Sequence, residues 1–531
     1  MTQVNICAQR SSGVLVPLFS LPSPGGIGDL GPGALRFLDF LESAGQSFWQ
    51  ILPAGPTSAG AGNSPYMSDS ALAGNPLFIS PEVLAADGLL RPEDLRGPDW
   101  SPFSVDYDRV RAHREALLDK AWASFQGQAA GQHAERFAAF LEAQTWAEDY
   151  GLFLALKAVH KERAWWQWPE DLRLRKKSAL TAARKELDAE IRRHCFRQYL
   201  FFDQWRQLRD NAAARGVRLI GDIPIYVALD SVDVWTHQDI FALDADGHPT
   251  HVAGVPPDYF SETGQLWGNP LYRWNDPNRT IRRHLHDWWA ARLKQNFLLT
   301  DVLRLDHFRG FEAYWSVPAG EKTAIRGEWL PGPGLTFFRD MERRLGPLPL
   351  IAEDLGVITP EVEVLRRELG LPGMKILLFA FDGNPDNSYL PYNCEPASVI
   401  YTGTHDNETA VGWYLNPDTA QEAKARAKRF ARAAGADAGS FHTDLLYLAM
   451  SAPSRLAVFP MQDILGFGND CRMNTPGQGT GNWVWRLPPE HLNANLASWL
   501  KDLTSFFGRL PRPQPPADAD DHGNSHSSAQ R

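Results

Sequence analysis

The chain has 531 residues, 44% of them hydrophobic, with a formal net charge of −10 at pH 7 and a pI near 5.9. That length fits about three domain-sized units or one large barrel with insertions, and the acidic balance excludes a nucleic-acid surface, which needs clustered Lys and Arg. Cys7, Cys195, Cys394 and Cys471 are scattered and form no CxxC pair, which excludes a disulfide framework or zinc knuckle and suits a reducing compartment.

The first residues, MTQVNICAQRSSG, lack the apolar stretch of a signal peptide, and no run approaches the ~20 apolar residues of a membrane span. A cytoplasmic protein without a membrane partner is expected. Gly26-Ile-Gly28-Asp-Leu-Gly31 matches GxGxxG ahead of a helical pattern, GALRFLDFLESAG, but the next strand, SFWQILP from Ser47, closes without the carboxylate that a dinucleotide fold needs. A glycine-rich turn into a helix is the simpler reading. From about Pro81 to Ala214 the chain is rich in Ala, Glu, Lys, Arg and Trp with long helical periodicity, which predicts a helical insertion. Its basic run LRLRKK, Leu172 to Lys177, reads as a solvated helix face.

Buried strands follow at VRLIGDIPIYV from Val217, TDVLRLDHF from Thr300, PLIAEDLG from Pro349, MKILLFAF from Met374, SVIYTGTHDN from Ser398 and LAVFPMQDIL from Leu456. Helical patterns such as TIRRHLHDWWAARLKQNF and PEVEVLRRELG lie between them. His284 and His286 sit in the first of these helices as HxH, without the HExxH pattern of a zinc enzyme, so no metal site is expected. Strands alternating with helices predict a parallel sheet. Seven or eight such units, several ending in Asp222, Asp306, Glu353, Asp406 or Gln462 with Asp463, favour an α/β fold of the (β/α)₈ TIM-barrel type, because a barrel gathers its C-terminal strand ends on one face. The barrel is expected over residues 1–510, and the polar PRPQPPADADDHGNSHSSAQR over 511–531 reads as a disordered tail. The chain's 19 Trp are first of all core residues, and such an excess also suits flat ligands such as sugar faces.

A lone carboxylate at a strand end is ordinarily a cap or half of an ion pair. Asp306, Glu353 and Asp406 each close a predicted strand, spaced by one to two βα units, and convergence changes that reading. Repulsion among them raises one pKa, while a nearby arginine holds another group ionised. Arg304 and Asp306 lie two residues apart on a strand and therefore on the same side. One acid and one ionised carboxylate from the same residue type is what glycosidic cleavage requires.

GDIPIYV at Gly221, RLDHFRG at Arg304, IAEDLG at Ile351 and YTGTHDNET at Tyr401 resemble the four signature regions of the α-amylase superfamily, in the wording of the 4-α-glucanotransferases, or amylomaltases, of glycoside hydrolase family 77. GNSPYMSDSALAGNP from Gly62, GVPPDYFSETGQLWGNPLY from Gly254 and RMNTPG from Arg472 are similar too, so the likeness runs from about Pro17 to Leu510. The resemblance implies a TIM barrel with helical subdomains and no separate C-terminal β-domain. It also implies Asp306 as nucleophile, Glu353 as general acid/base and Asp406 as transition-state stabiliser. Arg304, His405, Asp222 and Tyr66 would line the reacting subsite, with Tyr66 stacked on a ring face. Asp258, Gln265 and Trp267 would lie on a lid loop over about 250–270, whose Gly254, Gly264 and Gly268 suit mobility. Phe379, Asp382 and Asn474 would serve acceptor subsites. The chain departs from the family at GPTSAGAGNSPY, where some members have the shorter GPTGYGDSPY, so the resemblance does not carry a remote glucan-stacking tyrosine to this chain.

The reaction implied is a retaining double displacement between α-1,4-glucans, with glucose or a maltooligosaccharide as acceptor and no metal or organic cofactor. Two rivals are a glucan hydrolase and a non-catalytic glucan-binding protein. The intact carboxylate trio argues against the second.

Overall fold

The computed structural model describes residues 6–127, 132–257, 261–432 and 440–512. Eight strands close a barrel: β1 (Ser11–Leu15), β2 (Phe48–Gln50), β3 (Arg218–Pro224), β6 (Val302–Asp306), β9 (Leu350–Ala352), β10 (Gly373–Ile376), β11 (Ser398–Tyr401) and β12 (Leu456–Pro460). Every neighbouring pair is parallel, the barrel strands run round the ring in chain order, and β1 closes it against β12. Seven of these strands were legible as apolar runs. The eighth, β1, reads SSGVL: it is fully buried but three of its five residues are small or polar. The reason is close approach: a Cβ on Gly13 would come within 2.6 Å of the Phe48 carbonyl oxygen on β2.

The GxGxxG stretch is a turn into the helix Pro32–Ser43, as its missing carboxylate indicated. Among the described residues of 81–214 there is no strand, and there are long helices at Tyr107–Gly127, Trp146–Val159 and Asp188–Ala214. The last of these runs on into the barrel wall, where it packs against β3 and the helices Pro32–Ser43 and Arg279–Leu299. Gln198 and Gln204 on it each pair like a strand edge with backbone, at Gly74 and Ser80, and so anchor the loop that carries Tyr66. In the basic run, Arg175 lies over the Trp235 ring and pairs with Asp149 at 3.0 Å, so this part of it is packed rather than solvated.

A second sheet was not foreseen. It is antiparallel and four-stranded in the order β5-β4-β7-β8, built from β4 (His251–Val255), β5 (Gln265–Pro270), β7 (Ala313–Pro318) and β8 (Glu328–Pro331). In the segment expected as a lid loop over 250–270, the described residues include β4 and β5, which pair with one another, and β4 also pairs with β7. Gly264 adopts φ +67°, and a Cβ there would lie 2.4 Å from the Val255 carbonyl, so glycine is required by the turn itself. Among the described residues no strand follows β12, and no helix is long and apolar enough to cross a membrane.

Candidate active site

The barrel interior near its C-terminal mouth is polar. Tyr401 on β11 donates to Gln50 on β2 at 2.9 Å, and Arg304 on β6 contacts the Met374 sulfur on β10 at 3.4 Å. Strand alternation aims both Arg304 and Asp306 inward. The Arg304 guanidinium is almost fully buried: Nη1 donates to both carboxylate oxygens of Asp222, at 2.8 and 2.7 Å, while Nη2 pairs with Asp306 Oδ1 at 2.9 Å. One rigid fork thus orients two carboxylates on adjacent strands.

Tyr66 extends the network. Its hydroxyl donates to Asp222 Oδ2 at 2.8 Å and meets His405 Nε2 at 2.7 Å, and its ring stacks on the His405 ring with centroids 5.4 Å apart. His405 Nε2 also pairs with Asp406 Oδ2 at 3.1 Å, and Asn474 Nδ2 donates to Asp406 Oδ1 at 2.6 Å. Glu353 is held differently. Among the described residues it accepts only backbone hydrogen bonds, from His307 N at 2.7 Å and Leu355 N at 3.0 Å. His307 reaches that position because the chain turns through a left-handed residue, φ 53° and ψ 50°, directly after Asp306. Strain of this kind is characteristic of functional sites.

These surroundings separate the carboxylates. Burial, with the Asp306 charge adding to it, pushes Glu353 up to about 8 against the pull of Arg304 and the two N–H groups. Burial also lifts Asp306, to about 6, with Arg304 opposing and Asp222 and Asp406 adding. Burial would raise Asp406 as well, but the neighbouring His405 and the Asn474 amide hold it well below the usual carboxylate range. Its side chain remains 40% exposed at the mouth. Burial disfavours a charged His405, yet Asp406 outweighs that effect and raises its pKa. At neutral pH the site therefore holds one protonated carboxyl beside ionised ones, the division of labour acid–base chemistry at an acetal needs.

Of the residues singled out from the sequence, Tyr66, Asp222, Arg304, Asp306, His405, Asp406 and Asn474 form one connected network, and Glu353 joins through the turn at His307. Asn474 lies against Asp406. Trp267 on β5 sets its ring edge-to-face on His307 with centroids 4.8 Å apart, and its Nε1 donates to Gln265 Oε1 at 3.2 Å. Phe379 follows β10 and meets the Tyr389 ring edge-to-face, with centroids 5.6 Å apart. Asp382 is exposed and caps its own turn at Asn384 N. Asp258 lies outside the described residues. Sequence reasoning passed over Trp483, which packs against both Tyr66 and His405, and Arg472, whose guanidinium donates to the Asp406 carbonyl at 2.7 Å. Glycines flanking Trp483 in GTGNWVW were the available signal.

His284 and His286 pair with Asp239 and Asp340, at 2.8 and 2.7 Å. Among the described residues no group of three or more His, Cys, Asp or Glu is arranged to hold a metal ion.

A family profile described as 4-alpha-glucanotransferase, glycoside hydrolase family 77, matches residues 16–493. The chain belongs to this family. It is similar to the 4-alpha-glucanotransferase of Synechocystis, 47% identical over 94% of this chain and 98% of the relative, and to that of Thermus thermophilus, 46% identical over 94% and 99%. Among solved structures it resembles the amylomaltase from Streptococcus agalactiae in complex with acarbose, at 38% identity and a TM-score of 0.89, covering 95% of this chain and 100% of that one. The amylomaltase from Corynebacterium glutamicum, 17% identical with a TM-score of 0.75 over 95% of this chain and 76% of that one, shares the fold. The chain is thus an enzyme with 4-α-glucanotransferase activity, transferring segments of α-1,4-glucan.

Proposed function

We propose that transfer proceeds by a retaining double displacement in which Asp306 is the nucleophile and Glu353 the general acid and base. The observation that carries this is the unequal treatment of the two groups: Asp306 is gripped by a buried guanidinium, whereas Glu353, among the described residues, is held by backbone donors alone. Glu353 gives its proton to the glycosidic oxygen as Asp306 Oδ attacks the anomeric carbon, so the C–O bond to the leaving glucan breaks and a glycosyl ester forms. Glu353, now ionised, takes the proton of an acceptor 4-hydroxyl, whose oxygen displaces Asp306 and restores an α-1,4 link. Asp406, kept ionised by His405, grips sugar hydroxyls and stabilises the oxocarbenium-like transition state.

Tyr66, Asp222, Arg304 and His405 line the subsite of the reacting glucose. Gln265 and Trp267 form the lid side of the cleft, and Phe379, Asp382 and Asn474 the acceptor side. Donors are α-1,4-glucans or maltooligosaccharides, acceptors glucose or a maltooligosaccharide, and acarbose is expected to occupy the same cleft. A cytoplasmic setting suits four cysteines scattered along the chain without a CxxC pair. Incubation with maltotriose alone, followed by chromatography, tests the reading. Glucose together with maltopentaose and longer chains, at constant reducing ends, is the expected product pattern, and Asp306→Asn should abolish it. Rising reducing ends without longer chains would instead mean hydrolysis.

A further inference from the structure

The strand-end pair Gln462-Asp463 takes no part in the network above, yet Asp463 is fully buried, in the short helix Met461–Leu465 that follows β12. Its two oxygens reach two different places. Oδ2 accepts from the Thr402 hydroxyl at 2.5 Å, and Oδ1 from the Ala410 amide at 2.7 Å. Thr402 is the first residue after β11, and Ala410 opens the helix Ala410–Leu415. The carboxylate therefore closes both ends of the 402–410 segment, which carries His405 and Asp406.

The rest of that segment is fastened from the same side. Asn469 Oδ1 accepts from Thr409 N at 3.2 Å, Arg472 donates to the Asp406 carbonyl, and Asn474 N donates to the His405 carbonyl at 3.1 Å. Inside the segment, Asn407 Oδ1 accepts from both Thr404 N and Thr404 Oγ1. Without Asp463, a buried hydroxyl and a buried helix N-terminal amide would lose their acceptor, and the segment would be free to shift at its roots. Displacement of a reacting group by about 1 Å can cost on the order of a hundredfold in rate.

We infer that Asp463 is a positioning residue for this reaction, clamping both ends of the 402–410 segment so that Asp406 and His405 are held against Tyr66 and Asn474. This rests on Asp406 acting in the transition state, as proposed above. Burial lifts the Asp463 pKa to about 6, opposed by its two hydrogen bonds, so it accepts both of them at neutral pH.

The test compares Asp463→Ala, Asp463→Asn and Thr402→Val with the parent enzyme. An asparagine can still accept from Ala410 N through Oδ1 and can donate through Nδ2 to the Thr402 hydroxyl, which reverses its role. Asp463→Ala should lower kcat for maltotriose disproportionation by about tenfold to a hundredfold, with KM kept within about threefold. Thr402→Val should fall between, and Asp463→Asn should recover most of kcat. Amide hydrogen exchange supplies a readout that needs no activity: the 402–410 peptide should exchange at least about tenfold faster in Asp463→Ala, with the other barrel strands unchanged. Exchange at parental rates in 402–410, or parental kcat in a folded Asp463→Ala protein, would overturn the inference. An Asn variant as impaired as the Ala variant would do so too. Should Asp463→Ala fail to fold, Thr402→Val and Asp463→Asn decide the matter. If the parent enzyme makes no longer chains from maltotriose, the proposed reaction falls by itself, while the exchange data still decide whether Asp463 holds the segment.

Discussion

At the residue scale the site works by contrast between neighbours. Asp306 must be ionised to attack and Glu353 must carry a proton, so kcat/KM should rise through about pH 6 and fall through about pH 8. The two groups interact, so the limbs belong to the pair. Glu353→Gln should remove the alkaline limb and lower kcat on the order of a hundredfold to ten-thousandfold with a substrate that needs acid assistance. The same group makes a stability prediction. In the unfolded chain Glu353 loses its proton near 4.5, whereas in the fold it keeps it to about 8. The folded state therefore binds the extra proton between those values, and its stability falls as pH rises through that window. Glu353→Gln escapes this loss, so its gain in Tm over the parent should be larger at pH 8 than at pH 5; equal gains would contradict the raised pKa. Arg304→Lys keeps the charge but cannot fork to Asp222 and Asp306 together. It should lower kcat/KM by more than tenfold and move the acid limb to higher pH.

Elements explain why some of this was legible and some was not. β3 with Asp222, β6 closing on Asp306 and β11 leading into the 402–410 segment announced themselves as apolar runs with a charge in, at or beyond their ends, because a barrel strand is buried on both faces except at its mouth. β1 did not, because its sequence answers to the space left by Phe48 rather than to hydrophobicity. Gly13→Val should destabilise the barrel by about 1–3 kcal/mol in denaturant titrations, as overpacking does. The sheet of β4, β5, β7 and β8 was missed for a different reason. Gly254, Gly264 and Gly268 lie in or beside its hairpin, and β5 is largely exposed, so no apolar run marks it. Gly264, read from sequence as suiting mobility, is here needed by a tight turn. Gly264→Ala should distort the hairpin that presents Trp267 to His307, raising KM for glucans several-fold while leaving the denaturation midpoint of the barrel near the parental value. Trp483 and Arg472 were missed because a tryptophan or arginine beyond the last strand carries no periodic signal. Only the returning chain brings Arg472 to Asp406 and Trp483 to His405.

At the scale of the whole molecule, the helical segment 81–214 and the barrel share a wall. Trp205 in the helix Asp188–Ala214 donates to the Leu299 carbonyl at 2.8 Å, while Arg114 pairs with Asp29 across the same boundary at 3.3 Å, both groups buried. Removing one partner of such a pair leaves an uncompensated buried charge. Far-UV circular dichroism and tryptophan fluorescence should therefore report one coincident unfolding transition, and separate midpoints would contradict a shared core. The network around Asp306 draws residues from the Tyr66 loop, β3, β6, the segment after β11 and the segment after β12. It exists only when the ring is closed.

The central claim is that Asp306 forms a covalent bond to the sugar. The direct measurement is peptide mass spectrometry of Glu353→Gln protein quenched after mixing with α-maltosyl fluoride, whose fluoride departs without acid assistance and whose ester then lacks the base needed for transfer. A maltosyl increment on the peptide containing Asp306 is the result predicted. An unmodified protein that still turns over the fluoride, or an increment on another residue, would contradict it.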